Sequence, residues 1–159
     1  MRRAALTWKV VVAGLGVLLL VGGTATVWAG DGPKTKELHL LIKVTSSTAV
    51  DVDGSNGPSV GDTLVDLGDL YTADGKTKIG DGYAVCTQVT ADQSIYDCQG
   101  SDSLPGGEIR EAGRFTDPST FTWAVLGGTG RYAGVGGTVT GTSIDATTIA
   151  YTISLTKRH

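Results

Sequence analysis

The sequence predicts an all-β fold: an eight-stranded antiparallel up-and-down β-barrel, preceded by an N-terminal hydrophobic helix. Three observations lead there. Short runs of alternating polarity recur along the chain, separated by Gly, Asp, Asn or Pro, and few stretches show the 3.6-residue period of an amphipathic helix. The final run is the clearest, with Ile149, Tyr151, Ile153 and Leu155 alternating against Thr148, Ala150, Thr152 and Ser154, as a half-buried antiparallel strand does. The third is the stretch Phe121–Thr140, F-T-W-A-V-L-G-G-T-G-R-Y-A-G-V-G-G-T-V-T. Gly128, Gly130 and Ala133 fit G-x-G-x-x-A there, but a dinucleotide site needs a helix after the turn within a βαβ unit. Residues 135–144 are mostly Gly, Thr, Val and Ser, which are poor helix formers. The turn therefore joins two strands.

The first 29 residues read as a targeting segment. Arg2, Arg3 and Lys9 precede an apolar run from Val10 to Trp28, and Val27-Trp28-Ala29 offers small residues where a signal peptidase reads. Cleavage after Ala29 is the expectation. The alternative is an uncleaved membrane anchor, since the run approaches the ~20 residues that span a bilayer. Either way the basic end stays inside and residues 30–159 lie outside the cytoplasm, secreted or held on a single-pass anchor. Arg2-Arg3 is followed by Ala-Ala, which does not make a twin-arginine signal. Residues 30–36 read as a linker and 37–159 as the barrel.

The leader carries three of the 13 basic residues and none of the 16 acids, so residues 30–159 have a net charge of −6. An acidic exported domain is a poor partner for nucleic acid or anionic headgroups. No nucleic-acid partner is expected, and a membrane only through the N-terminal segment. At 130 residues the exported part is long enough to bury a core of its own. It holds 20 of the 24 Gly, about twice the usual ~7% share. Glycines within strands suit the bulges and bends of a small barrel.

The strands follow in order. Glu37–Thr45 puts Leu38, Leu40, Ile42 and Val44 on one face. Asp51–Ser59 is a loop made of turn-forming residues. Asp62–Tyr71 and Lys78–Thr90 flank the hairpin signal Asp74-Gly75. Ser94–Ser101 and Glu108–Thr116 flank Pro105-Gly106-Gly107. Thr120–Leu126, Gly137–Ile144 and Thr148–Leu155 complete the set. Eight strands is the count at which a barrel closes around packed side chains or one small ligand, and closure removes aggregation-prone edges.

Cys86 and Cys98 are the only cysteines. Outside the cytoplasm a disulfide is the default state. If Ala91-Asp92-Gln93 is a three-residue hairpin loop, Thr90 faces Ser94, Gln88 faces Tyr96 and Cys86 faces Cys98, within disulfide reach. The rival reading, Cys86 as a free nucleophile, requires that bond not to form.

Four blocks carry a family resemblance. They are G-D-x-L-V-x-L-G-D-L-Y (Gly61–Tyr71), K-I-G-D-G-Y-A-V-C (Lys78–Cys86), L-P-G-G-E-I (Leu104–Ile109) and V-L-G-G-T-G-R-Y-A-G-V-G-G-T-V-T (Val125–Thr140). In this order they resemble the dirigent and allene oxide cyclase barrel superfamily, most closely its exported actinobacterial members, over about Glu37–Leu155. The resemblance implies an eight-stranded barrel with an apolar cavity. It also implies a function among those of the superfamily: steering of phenolic radical coupling, ring closure of an unstable epoxide, or cyclisation in polyketide assembly. The plant catalytic residues do not carry over. The first-strand Glu of allene oxide cyclases aligns with Ile42, beside Lys43, and their third-strand Cys aligns with Cys86. The dirigent Asp within the Gly-Gly-Thr-Gly turn aligns with Arg131, and the Arg that follows aligns with Gly136. Related barrels often form trimers, so the resemblance also implies a homo-oligomer, although no residue pattern here shows one.

Few residues point to chemistry on their own, and the catalytic group is not readable. His39 and His159 are the only histidines. They make neither the usual zinc ligand set nor a triad, which would want a nucleophile elbow. Asp51, Asp53, Ser55 and Asp62 fall at the first, third, fifth and twelfth positions of a calcium loop. Asn56 replaces its Gly and no helices flank it, so a solvated connection is expected and no metal or cofactor. Tyr71, Trp123 and Tyr151 are the pocket candidates among the aromatics, because such rings line cavity mouths with an apolar body and a polar tip. Asp66 and Asp81 join them as acid–base candidates, with Asp69, Glu108 and Glu111 also on strands. A carboxyl turned into an apolar cavity has a raised pKa and can act as general acid or base. One turned outward does nothing chemical.

The expected function is an exported barrel that binds or orients an apolar or phenolic small molecule. One alternative is an isomerase or cyclase acting by pocket shape with an Asp or Tyr as acid–base group. The other is a cell-envelope structural or interaction protein whose barrel is filled. A void inside the barrel separates the last reading from the other two.

Overall fold

The computed structural model describes residues 35–157; the N-terminal segment and most of the linker lie outside the described residues. Eight strands run in sequence order: β1 (Thr35–Val50), β2 (Thr63–Thr72), β3 (Lys78–Gln88), β4 (Tyr96–Leu104), β5 (Gly107–Phe115), β6 (Thr120–Gly128), β7 (Val135–Ser143) and β8 (Thr148–Lys157). Each pairs antiparallel with its neighbours and β8 closes on β1, making a closed up-and-down barrel. The alternation in β8 is realised as read. Tyr151, Ile153 and Leu155 are buried inside the barrel, and the residues between them are partly open.

The cysteine hairpin has the expected register. Gln88 faces Tyr96 and Cys86 faces Cys98, and the two cysteines form a disulfide. Thr90 and Ser94 meet through their hydroxyls at 3.1 Å. The loop between them turns at Gln93, whose φ of 58° is left-handed.

β1 is longer than the sequence pattern indicates. Its pairing with β8 ends at Lys43↔Thr148. After a bulge between Val44 and Ser46, Ser46–Val50 pairs with β2 alone. This Ser/Thr-rich tail lacks alternation, but Thr is at home in a strand, and no turn residue interrupts it before Asp51. There the Asp51 carboxylate accepts from the amides of Asp53 and Gly54 and bends the chain away.

The two ends of the barrel differ. At one, the β4–β5 turn meets the β6–β7 turn backbone to backbone: Arg131 N donates to the Gly106 carbonyl at 2.8 Å. Gly130, at φ 56°, takes a conformation that admits this approach. Beneath them Leu70, Leu104, Ile109, Tyr132, Val139 and Ile153 form a filled apolar core. Each such side chain contributes about 1.5–3 kcal/mol by leaving water. At the other end the disulfide packs with Trp123, Phe121, Phe115 and Tyr96. Rings there lie over glycines. A Cβ on Gly113 would sit 2.5 Å from Trp123 Cδ1, and Gly141 is likewise covered by Phe121. The Trp123 indole N–H donates to the Arg114 carbonyl at 3.2 Å, which fixes the ring across the strand.

Candidate functional site

Strand alternation decides which side chains meet inside. The fully buried Leu70 fixes one parity of β2, so Leu64, Asp66 and Gly68 also turn inward. Cys86 does the same on β3 for Gly82 and Ala84, and Cys98 on β4 for Gly100 and Asp102. Glu111 on β5 and Tyr151 on β8 complete the ring. Above the filled core these residues enclose a cavity of about 300 Å³. Most of its wall is apolar; the polar groups are few and lie together.

At its floor are Asp102, Glu111 and Tyr151, only 3%, 4% and 2% exposed. The Tyr151 hydroxyl donates to Glu111 Oε1. Asp102 Oδ2 and Glu111 Oε2 are buried with no hydrogen-bond partner among the described residues. Two glycines make room for the carboxyls. Gly82 faces Asp102 and Gly100 faces Glu111 across the strand ladders. A Cβ at either glycine would come within 2.5 Å of Asp102 Oδ1 or 2.9 Å of Glu111 Oε1.

Burial raises both acids well above the usual carboxylate range: Asp102 to about 7, and Glu111 to about 8, with the neighbouring Asp102 charge adding to the rise. The Tyr151 hydroxyl opposes this at both. Tyr151 itself is pushed well above the ordinary tyrosine range, first by burial and then by the two carboxyls, and stays protonated. Near neutral pH the pair therefore holds a proton that one acid can give while the other carboxyl can take one. That is the equipment of acid–base catalysis.

Of the residues singled out in the sequence, Trp123, Tyr151 and Asp66 line the cavity. Tyr71 and Asp81 do not. Tyr71 lies on the outer face one step from the inward Leu70, with Lys43 Nζ 4.2 Å from its ring centre. Asp81 is exposed, one step from the inward Gly82, and pairs with Asp69 and Ser103 on the outside. Asp69 bonds Lys78 Nζ at 2.7 Å there, and Glu108 is exposed. Glu111 alone of the other strand acids is buried in the site. Asp102 was missed. β4 runs on to Leu104 and the turn is Pro105-Gly106, so what reads as turn material is the end of a strand. The available signal was parity: Cys98, Gly100 and Asp102 share a face.

The acidic loop is held by its own backbone. Asp62 accepts from the amides of Val52 and Ser59 and from the Ser59 hydroxyl. Its carboxylate oxygens come within 4.8 Å of those of Asp51 and Asp53. His39 is an outer-face residue beside Glu37 and Thr152.

No family model matches the sequence, and no curated protein does. Solved structures match well. A pyocyanin demethylase superposes with a TM-score of 0.67 at 24% identity, over 76% of this chain and 100% of the other. A pterocarpan synthase dirigent protein gives 0.62 at 17% identity, over 79% and 97%. The fold is that of the dirigent and cyclase barrels. The Diels-Alderase AbmU from Streptomyces koyangensis shares it too, with a TM-score of 0.64 at 15% identity, over 78% of this chain and 64% of AbmU. Likeness at these identities is likeness of fold, so the chemistry rests on the cavity.

Proposed function

We propose that the barrel takes a small, largely apolar ring compound into its cavity and moves a proton on it, as an isomerase or cyclase. One observation carries this reading: two carboxyl groups lie together at the floor of an apolar cavity, each with an oxygen that no group among the described residues satisfies. An unpartnered buried carboxyl costs stability, and its presence at a ligand-sized void is a mark of function rather than of packing. In the reaction the protonated acid gives its proton to a carbonyl or alkoxide oxygen of the ligand. The ionised partner takes a proton from carbon, and the pair returns to its starting state after the shift. The aromatic wall of Phe121 and Trp123, with ring centres 4.5 Å apart, holds the ring system in register with the acids. The void argues against a barrel that serves only as a solid body.

Residues 1–29 carry the barrel out of the cytoplasm in this proposal, and the disulfide supports that location. The mass of the protein recovered from the producing cell tests it. A chain beginning at Gly30 is expected, whereas an intact chain in the membrane fraction would establish the anchored form.

The catalytic reading is tested by incubating a panel of neutral ring ketones and enols with the native protein and with Glu111→Gln. Thermal shift identifies the binders, and exchange of solvent deuterium into the ligand reports proton transfer. Binders that exchange with the native protein and not with E111Q are the expected result. Binding without exchange would leave a carrier or orienting barrel, and no binding at all would overturn the proposal.

A further inference from the structure

The charges that face the cavity are all of one sign. Asp66, Asp102 and Glu111 line it, from β2, β4 and β5, and among the described residues no Lys, Arg or His does. The nearest bases among the neighbouring strands point away. Lys43 lies over the outer face of Tyr71, and Lys78 pairs with Asp69 outside. Arg110 and Arg114, on the strand that carries Glu111, are exposed. Any ionised carboxyl at the cavity floor therefore has no counter-charge among the described residues. Buried charges are normally paired, and an apolar chamber with an uncompensated negative charge makes the ligand the natural source of the positive one. The walls favour the same kind of ligand, since Phe115, Phe121, Trp123 and Tyr96 all line the cavity, and aromatic faces attract cations.

We infer that the cavity selects a flat heteroaromatic compound carrying a positive charge or a protonatable ring nitrogen, which stacks on Phe121 and Trp123 and sets its nitrogen against Asp102 and Glu111. This deepens the proposed function and rests on it, because it names the substrate class of the same site. With both carboxyls held above the usual range by burial, an arriving cation would also draw a proton off the pair, so binding should release protons. Anionic ring compounds are excluded by the same field.

Four bicyclic probes of one shape test this in calorimetric titrations of the full chain at pH 7: N-methylquinolinium, quinoline, 2-naphthol and 2-naphthoate. N-methylquinolinium should bind at least about ten-fold more tightly than 2-naphthol, a difference of about 1.4 kcal/mol, and 2-naphthoate should bind least. Proton release on binding N-methylquinolinium should show as a buffer-dependent heat. In the Asp102→Asn/Glu111→Gln double variant the preference for N-methylquinolinium over 2-naphthol should be lost. Equal or tighter binding of 2-naphthol by the native protein would overturn the charge selection and leave a small-molecule cavity standing. Survival of the preference for the cation in the double variant would place the cation elsewhere and overturn it too. Failure of all four to bind would remove both this inference and the proposed function.

Discussion

Gly82 stands directly opposite Asp102 on the β3–β4 ladder, and the missing side chain of the one is the space occupied by the other. Gly100 and Glu111 repeat the relationship one ladder on. Both glycines point into the barrel, where a side chain would otherwise add to the core. The barrel thus gives up packing on two strands to keep two acids inside.

Restoring a Cβ at these positions sets the first expectation. Gly82→Ala places an atom 2.5 Å from Asp102 Oδ1 and should cost about 1–3 kcal/mol, as overpacking does. The cost should shrink in an Asp102→Ala background, because the clash is with that side chain. Urea denaturation of the two single variants and the double variant measures the coupling. Additive losses would show that Gly82 and Asp102 do not compete for space.

Removing the acids should stabilise the barrel. At pH 8 a buried ionised carboxyl is a burden. Glu111→Gln keeps an oxygen that can accept from Tyr151, and it should raise stability at that pH by about 1–3 kcal/mol. The thermal midpoint of the native protein and of E111Q at pH 8 checks this. A lower midpoint for E111Q would mean that the charge is compensated.

Stability should also fall as pH rises toward the alkaline side. The unfolded chain releases the two protons near pH 4, while the native barrel holds them to about 7 at Asp102 and about 8 at Glu111. Between these values the native state binds more protons, so unfolding becomes easier with each step in pH. Below pH 4 both states are protonated and the penalty is absent. The exposed aspartates whose pKa values are lowered by hydrogen bonds, such as Asp92 at about 2, act in the opposite sense and only in acid. The thermal midpoint at pH 5 should exceed that at pH 8.5 by on the order of 5 °C, and D102N/E111Q should flatten the slope. A native midpoint that climbs across this range would contradict the buried pair.

The disulfide closes a short loop, its cysteines 12 positions apart in the sequence. Its reduction should cost about 2–3 kcal/mol in the chain-entropy model, and less to the extent that the hairpin forms locally in the unfolded state. Chemical denaturation with and without reductant measures it. Because Cys86 lines the cavity, reduction should also weaken ligand binding, whereas an unchanged denaturation midpoint would show the bond to be dispensable.

How much of this is written in the sequence varies from strand to strand. β8 shows its buried face because only one of its two rows is apolar. The pairing of Cys86 with Cys98 follows from a hairpin loop short enough to set the register. β2 is harder, since Leu64 and Leu70 lie on one face and Val65 and Leu67 on the other; both rows look buried, so Asp66 and Tyr71 cannot be assigned a side from composition. On β3 the inward row is Gly80, Gly82, Ala84 and Cys86, whose glycines carry no hydrophobic signal, and Asp81 beside them draws attention to the wrong face. Asp102 falls next to a Pro-Gly turn and looks like part of it. The acids' environment depends on residues from β3, β4, β5 and β8 meeting across the barrel, and no local pattern contains that meeting.

Titration of the Asp102 and Glu111 carboxyls decides whether the cavity floor holds a buried acid pair. Carbon NMR of the native protein, with D102N and E111Q to assign the signals, would follow each group from pH 3 to pH 10. Two carboxyls should stay protonated past pH 6 and ionise together around pH 7 to 8, with N-methylquinolinium lowering both midpoints. Ionisation of both near pH 4, as in a solvent-exposed aspartate or glutamate, would show that the cavity floor is wet and that the acid pair described here does not exist.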